Sequence, residues 1–264
     1  RRLPGNVTCD TTAIRLSLVI PLYNESLRLS WLEEGLREFI DDQRACIHEV
    51  ILVNDGSTDD TAGRLAAVRD RLLAARTDCL ADVRIVDLPR NGGKGGALKA
   101  GVQAARGLWI LTLDADMSTP PSELLRWQEY DPSLDVGASP DTPRVYVGAR
   151  EHPDAVIRDS FFRHVIGRLF NVLVQWMTGL DSDDTQCGFK LYPAAVAKRV
   201  FGALAETGWA HDVEILRRLA AEGTAVVELP VTWRAVEGGS IRCWVDGPRM
   251  LMAVARMRFR DLKT

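Results

Sequence analysis

The chain has 264 residues, 46% of them hydrophobic and 26% charged, which suits one large α/β domain or two small ones and excludes a disordered, collagenous or coiled-coil chain. Its 33 Lys and Arg against 36 Asp and Glu leave a net charge of -3, unlike the cationic balance of a nucleic-acid binder. No apolar run approaches the roughly 18 residues that a membrane-spanning helix needs, and no signal peptide opens the sequence.

Strands are predicted where Val, Ile and Leu run together with little polar alternation, as in strands buried on both faces. The first is Leu16–Leu22, followed by a helix over Leu29–Ile40, a strand over Glu49–Asn54, a helix over Thr58–Ala75, a strand over Val83–Leu88, a helix over Gly93–Ala105 and a strand over Leu108–Leu113. This alternation predicts a parallel, doubly wound sheet with right-handed crossovers, a Rossmann-like arrangement. Pro120-Pro121 opens a short helix, and the Pro, Gly, Ser and Asp-rich stretch Asp131–Pro143 reads as a mobile loop. Further strands are expected at Arg144–Gly148, Gly188–Tyr192 and Ala225–Leu229, with helices at Asp159–Thr178, Pro193–Leu204, His211–Ala221 and Pro248–Phe259. Residues 1–143 are net acidic and 144–264 net basic, so the two parts are expected to face different partners. Five cysteines, Cys9, Cys46, Cys79, Cys187 and Cys243, form no CxxC pair, and their odd number fits a reducing compartment.

Ligands of open α/β sheets bind beyond the carboxyl ends of the strands. Three of the first four strands run there into Asn24-Glu25, Asn54-Asp55, and Asp114 with Asp116. Residues two apart on an extended segment face one side, so Asp114 and Asp116 present two carboxylates to one spot. Their repulsion calls for a cation, and an oxygen-seeking ion such as Mg²⁺ or Mn²⁺, itself bound to phosphate, needs only one or two protein carboxylates. The plainer alternative is a turn that caps the next helix. Ser57 and Asp60 have capping-box spacing, which explains much of NDGSTDDT as helix initiation and leaves Asp55 free to accept hydrogen bonds from a base or ribose. The run RNGGKGGA from Arg90 to Ala97 is neither a P-loop nor GxGxxG. It offers backbone N–H groups, a helix N-terminus and a cation, which suit a diphosphate, although a simple Gly-rich turn fits it equally well.

VIPLYNE, VNDGSTDDT, RNGGKGGALKAG, LDADMSTPPSEL, GAR, DTQCGFKLY and WAHDVEIL occur in the order found in inverting family 2 glycosyltransferases of the GT-A fold. The chain resembles the group that acts on dolichyl or polyprenyl phosphate, above all the dolichyl-phosphate β-glucosyltransferases, over about residues 16–245. The resemblance implies a single GT-A catalytic domain over 1–264, with residues 16–116 as the nucleotide-sugar half and 117–264 as the acceptor half. It implies transfer of a hexose from a nucleotide-sugar donor, UDP-glucose being favoured over GDP-mannose, and a Mg²⁺ or Mn²⁺ cofactor. Pro21, Tyr23, Glu25 and Asp55 would hold the base and ribose, Arg90 and Lys94 would lie near the base or diphosphate, Asp114 would touch ribose or metal, and Asp116 would be the main metal ligand. Some lipid-phosphate relatives carry Gln two residues beyond the second Asp, where this chain has Ser118.

The acceptor decides the role of Asp212. A sugar hydroxyl needs a base, and Asp212 in HDVEIL stands where the family places one. A lipid monophosphate is already an anion and needs cations instead, for which Arg150, Arg158, Arg163, Arg168, Arg234 and Arg242 are candidates, with Arg150, Arg234 and Arg242 foremost. The resemblance implies a polyprenyl or dolichyl phosphate as the acceptor. The alternatives are a soluble or glycan hydroxyl with Asp212 as base and, further off, a sugar-nucleotide binder without turnover. Segments 159–178 and 248–262 combine apolar helical spacing with Arg and Lys, as interfacial helices do, though core-facing helices carry the same pattern. Asn24-Glu25-Ser26 fits the glycosylation pattern inside the expected donor pocket, so that pocket is expected to face the cytoplasm, with the protein peripheral at the inner membrane face.

Overall fold

Leu18 and Ile20 face one way from the first strand and Val19 the other, and both sets are fully buried. That is the burial expected of a central strand covered by helices on two sides. The computed structural model describes residues 15–42, 49–74, 80–158, 171–180, 182, 184–236 and 243–261. Among them the elements run β1 (Leu16–Leu22), α1 (Leu29–Asp41), β2 (Glu49–Asn54), α2 (Thr61–Ala74), β3 (Asp82–Asp87), α3 (Lys94–Ala104), β4 (Trp109–Thr112), α4 (Glu123–Tyr130), β5 (Val145–Ala149), β6 (Val156–Arg158), β7 (Lys190–Pro193), α5 (Ala194–Gly202), α6 (His211–Ala221), β8 (Val226–Pro230), β9 (Thr232–Arg234) and α7 (Cys243–Asp261).

Seven strands form one sheet in the order β3-β2-β1-β4-β7-β5-β8. The first four are parallel, as the sequence predicts, and β8 is parallel to β5. β7 departs from that expectation, running antiparallel to both β4 and β5 between which it is inserted. A second sheet of two short parallel strands, β6 and β9, was not predicted, because three-residue strands carry no readable periodicity.

One face of the large sheet packs Leu18, Ile20 and Leu52 against α1 and α2 through Leu32, Leu36, Phe39, Leu65 and Leu72. The other packs Val19, Ile51 and Val53 against α3, α5 and α6 through Leu98, Val102, Val200 and Ile215. A third cluster joins the helical segment 171–178 to α6 and α7 through Val174, Val213, Ala253 and Val254.

The stretch expected to be a mobile loop is instead tied down. Leu134 and Val136 are buried, the Trp109 indole N–H donates to the Ala138 carbonyl at 2.9 Å, and the Tyr146 hydroxyl donates to Asp131 at 3.0 Å. Two inward apolar residues among the turn formers outweigh its composition. Helix α2 starts at Thr61 rather than Thr58, and its first N–H is met by the Asp59 carboxylate at 2.9 Å, not by Ser57.

Candidate active site

β4 ends at Thr112, so Asp114 and Asp116 lie beyond the strand in a turn. The Met117 N–H donates to the Asp114 carbonyl at 3.3 Å, and Met117 has φ of 55°. The two carboxylates come together through this turn, not through the extended geometry expected from their spacing. Asp116 also accepts the Ser118 N–H at 2.9 Å, so the plainer turn reading describes its local structure correctly. Burial, and then the charge of Asp114, raise the Asp116 pKa above its ordinary value. A cation would relieve both penalties.

Lys94, the first residue of α3, supplies one. Its Nζ lies 2.5 Å from Asp114 Oδ1 and 5.5 Å from the Trp209 ring centroid. Burial opposes its charge, but Asp114 and then Asp212 outweigh burial and raise its pKa. Gly188 closes the far side of Asp114, and a Cβ there would stand 2.6 Å from the carboxylate oxygen.

The Gly-rich run is not an open anion cradle. Gly95 and Gly96 donate their N–H groups to the Thr207 carbonyl at 2.8 and 3.2 Å, and Gly92 donates to Asp55 Oδ1 at 2.7 Å. This corrects the expectation of free amides at the α3 N-terminus. Gly93 is required there, because it has φ of 83° and its Cβ would meet the Thr207 oxygen at 2.4 Å. Arg90 is exposed on the same loop.

The first strand end places Pro21 within β1 and leaves Tyr23 40% exposed. Glu25 turns back to Arg28, bonded at 2.5 and 2.8 Å, so its carboxylate is engaged within the protein. Burial raises the Glu25 pKa against this pairing. Asn24, at φ of 55°, accepts the Thr58 N–H at 2.8 Å and fixes the approach to α2. Asp55 is buried, which raises its pKa, while the Gly92 and Gly93 amides work the other way.

Asp212 opens α6 and is buried. Lys190 Nζ, 1% exposed on β7, donates to its Oδ1 at 2.5 Å and to the Cys187 carbonyl at 2.5 Å. Burial opposes the Asp212 charge, but His211, Lys190 and Lys94 together hold its pKa at about 2. A carboxylate so held is a weak proton acceptor near neutral pH.

Arg150 follows β5 and gives Nε and Nη2 to the two oxygens of Asp184 at 2.6 and 2.9 Å. It is therefore not the free cation expected of it. Arg234 is exposed at the end of β9, where its backbone N–H donates to the Ser118 carbonyl at 2.9 Å. Arg163, Arg168 and Arg242 lie outside the described residues.

Asp114, Asp116, Lys94 and Asp212 thus converge, while Glu25 and Arg150 are paired elsewhere. Sequence reasoning missed Lys190, Asp184 and Gln186. Lys190 left a signal, a lone charge inside a predicted buried strand. Asp184 and Gln186 stand in DTQCGFKLY, one of the motifs that carry the resemblance, but their partners appear only once β5 and β7 are side by side. Among the described residues no group of three or more His, Cys, Asp or Glu gathers. Two carboxylates fit a hard divalent ion that completes its shell with substrate oxygens, and do not fit an all-protein cage.

Residues 17–171 match the model of glycosyl transferase family 2. A dolichyl-phosphate beta-glucosyltransferase from Dictyostelium discoideum is 30% identical, the alignment covering 94% of this chain and 75% of that one. The Drosophila melanogaster protein of the same name is 33% identical over 88% of this chain and 71% of that one. Among solved structures, glucosyl-3-phosphoglycerate synthase from Mycobacterium tuberculosis, in complex with Mn²⁺, UDP and glucosyl-3-phosphoglycerate, has a TM-score of 0.63 at 17% identity, covering 95% of this chain and 81% of that one. That likeness establishes the shared GT-A fold.

Proposed function

The chain belongs to glycosyl transferase family 2, and we propose that it transfers glucose from UDP-glucose to a dolichyl or polyprenyl phosphate with inversion at the anomeric carbon. Its relatives' names support the sugar and the acceptor. The observation that carries the acceptor choice is the Lys190–Asp212 pair, which makes Asp212 a weak base for a sugar hydroxyl. A lipid phosphate arrives as an anion and needs none.

In this reading Tyr23, Pro21 and Asp55 border the base and ribose, with Glu25 shaping that wall through Arg28. Asp116 and Asp114 would hold a divalent ion, Mg²⁺ or Mn²⁺, whose chemistry is to offset charge developing on the leaving diphosphate. Lys94 then contributes a second positive charge beside the diphosphate. Arg234, exposed and bonded through its backbone to Ser118, is the described cation assigned to the acceptor phosphate in this reading; Arg163 and Arg242, the other expected ones, lie outside the described residues. Among the described residues no helix is long and apolar enough to cross a membrane. Trp176 at 76% and Met252 at 56% exposure support a peripheral position at a membrane surface, which this reading takes to be the inner face.

The test offers radiolabelled UDP-glucose or GDP-mannose, with Mg²⁺ or Mn²⁺, to a short polyprenyl phosphate. Label should enter the organic phase from UDP-glucose, and Asp116→Asn should lower that rate by a factor on the order of 10² to 10³. Transfer that persists unchanged in the variant, or under chelation, overturns the metal-assisted reading. Turnover of UDP-glucose only onto a soluble hydroxyl acceptor would restore Asp212 as base.

A further inference from the structure

Beside Asp114 lies a small cleft walled by Ser118, Thr119, Arg150, Gln186, Gly188 and Trp233. Its charges cancel in pairs. Arg150 is bound through two nitrogens to Asp184, with its guanidinium 5.7 Å from the Trp233 ring centroid, and Asp114 faces Lys94. A cleft without surplus positive charge is poorly suited to a phosphate, which binds where unpaired cations or free amides converge.

What the lining offers is neutral. Two hydroxyls and an indole stand with one carboxamide whose Nε2 is buried and, among the described residues, has no hydrogen-bond partner. The loop that carries it is fixed, since the Gln186 backbone N–H donates to Asp184 Oδ1 at 3.1 Å. A buried N–H without an acceptor is rare in native proteins and points to a ligand atom that supplies one. Hydroxyls, an amide donor and an aromatic wall together suit an uncharged polyol.

The position agrees with the chemistry. The lining includes Asp114 of the acidic turn and Trp233, the chain neighbour of the exposed Arg234, whose backbone N–H reaches the Ser118 carbonyl at 2.9 Å. An in-line displacement requires leaving diphosphate, sugar and attacking phosphate in that order.

We propose that one edge of the transferred hexose rests against this cleft, whose volume of about 30 Å³ suits a single hydroxyl or hydroxymethyl group, and that the Gln186 amide donates a hydrogen bond to that hydroxyl oxygen, which makes Gln186 a residue that selects the sugar. The assignment rests on the UDP-glucose transferase reading above. Arg150, pinned by Asp184, then shapes the sugar's wall and does not gather the acceptor phosphate.

Calorimetric titration with UDP and with UDP-glucose, each with Mn²⁺, tests this on the wild type, Gln186→Ala and the near-isosteric Gln186→Glu. UDP lacks the sugar, so its affinity should stay within about twofold in both variants. UDP-glucose should bind about 3-fold to 10-fold more weakly to Gln186→Ala, as the loss of one neutral hydrogen bond implies. Gln186→Glu exchanges a donor for an acceptor at the same size and should weaken it at least as much. In turnover, the KM for UDP-glucose should rise while that for the lipid phosphate holds. Equal losses for UDP and UDP-glucose, no loss at all, or a KM change confined to the lipid phosphate each overturn the cleft assignment while leaving the transferase reading intact. A wild type that binds neither nucleotide overturns both.

Discussion

A buried lysine facing a buried aspartate is costly to assemble and more costly to break. Lys190→Met would leave Asp212 without its closest cation in a site 5% exposed, and should destabilise the protein by about 3 to 5 kcal/mol, read as a lower denaturation midpoint in urea. The pH dependence follows from the depressed pKa of Asp212, about 2 against an ordinary value near 4. A carboxylate depressed by folding contributes fully above the unfolded value and loses that contribution as pH falls through the folded one. The contribution, on the order of 2 kcal/mol, should therefore be intact above about pH 4 and fade toward pH 2. Urea curves for the wild type and Asp212→Asn, measured between pH 2 and 6, should converge at the acid end, and a constant gap would refute the linkage. Lys94 permits a different test, because its ammonium sits where an ion at Asp114 must approach. Without nucleotide, Lys94→Met should bind Mn²⁺ several-fold more tightly by paramagnetic resonance titration, whereas weaker binding would mean that Lys94 helps to hold the site open.

At the level of elements, the loops that fold over α3 and Asp114 tolerate no side chain at two glycines. Gly93→Ala combines a left-handed backbone with a 2.4 Å approach to the Thr207 carbonyl and should cost about 2 to 3 kcal/mol in thermal unfolding. Gly188→Ala would press on the Asp114 carboxylate instead, so turnover should fall far more than the melting temperature. The parallel strands β1 to β4 and helices α1, α3 and α6 were legible because burial on both faces and helical periodicity are local properties, visible residue by residue. The reversed direction of β7 was not, since the same buried run reads alike in either direction. The convergence of Asp114 and Asp116 was legible but for the wrong cause. Their spacing suggested a strand, while the positive φ of Met117 that makes the turn has no mark in a residue type that seldom adopts it. The pairings Arg28–Glu25 and Arg150–Asp184 decide which expected ligands are engaged, and the second joins residues 34 apart that only the folded sheet brings together.

For the molecule as a whole, the third cluster turns Val174, Ala253 and Val254 inward, while Val172, Trp176 and Met252 remain exposed at 55%, 76% and 56%. Wild-type protein should float with anionic vesicles, and the double variant Trp176→Ser, Met252→Ser should float less at unchanged far-ultraviolet circular dichroism. Equal flotation of the two would remove these residues from the membrane contact. The place of β7 in the sheet bears on how the protein is made. β4 emerges from the ribosome some 80 residues before the strand that covers its open edge, a separation that lengthens the search for native pairing. Residues 114 to 116 are therefore made well before the Gly188 backbone against which Asp114 rests. The site is complete only after β7 is inserted, so closing the sheet and bringing Gly188 against Asp114 are one event.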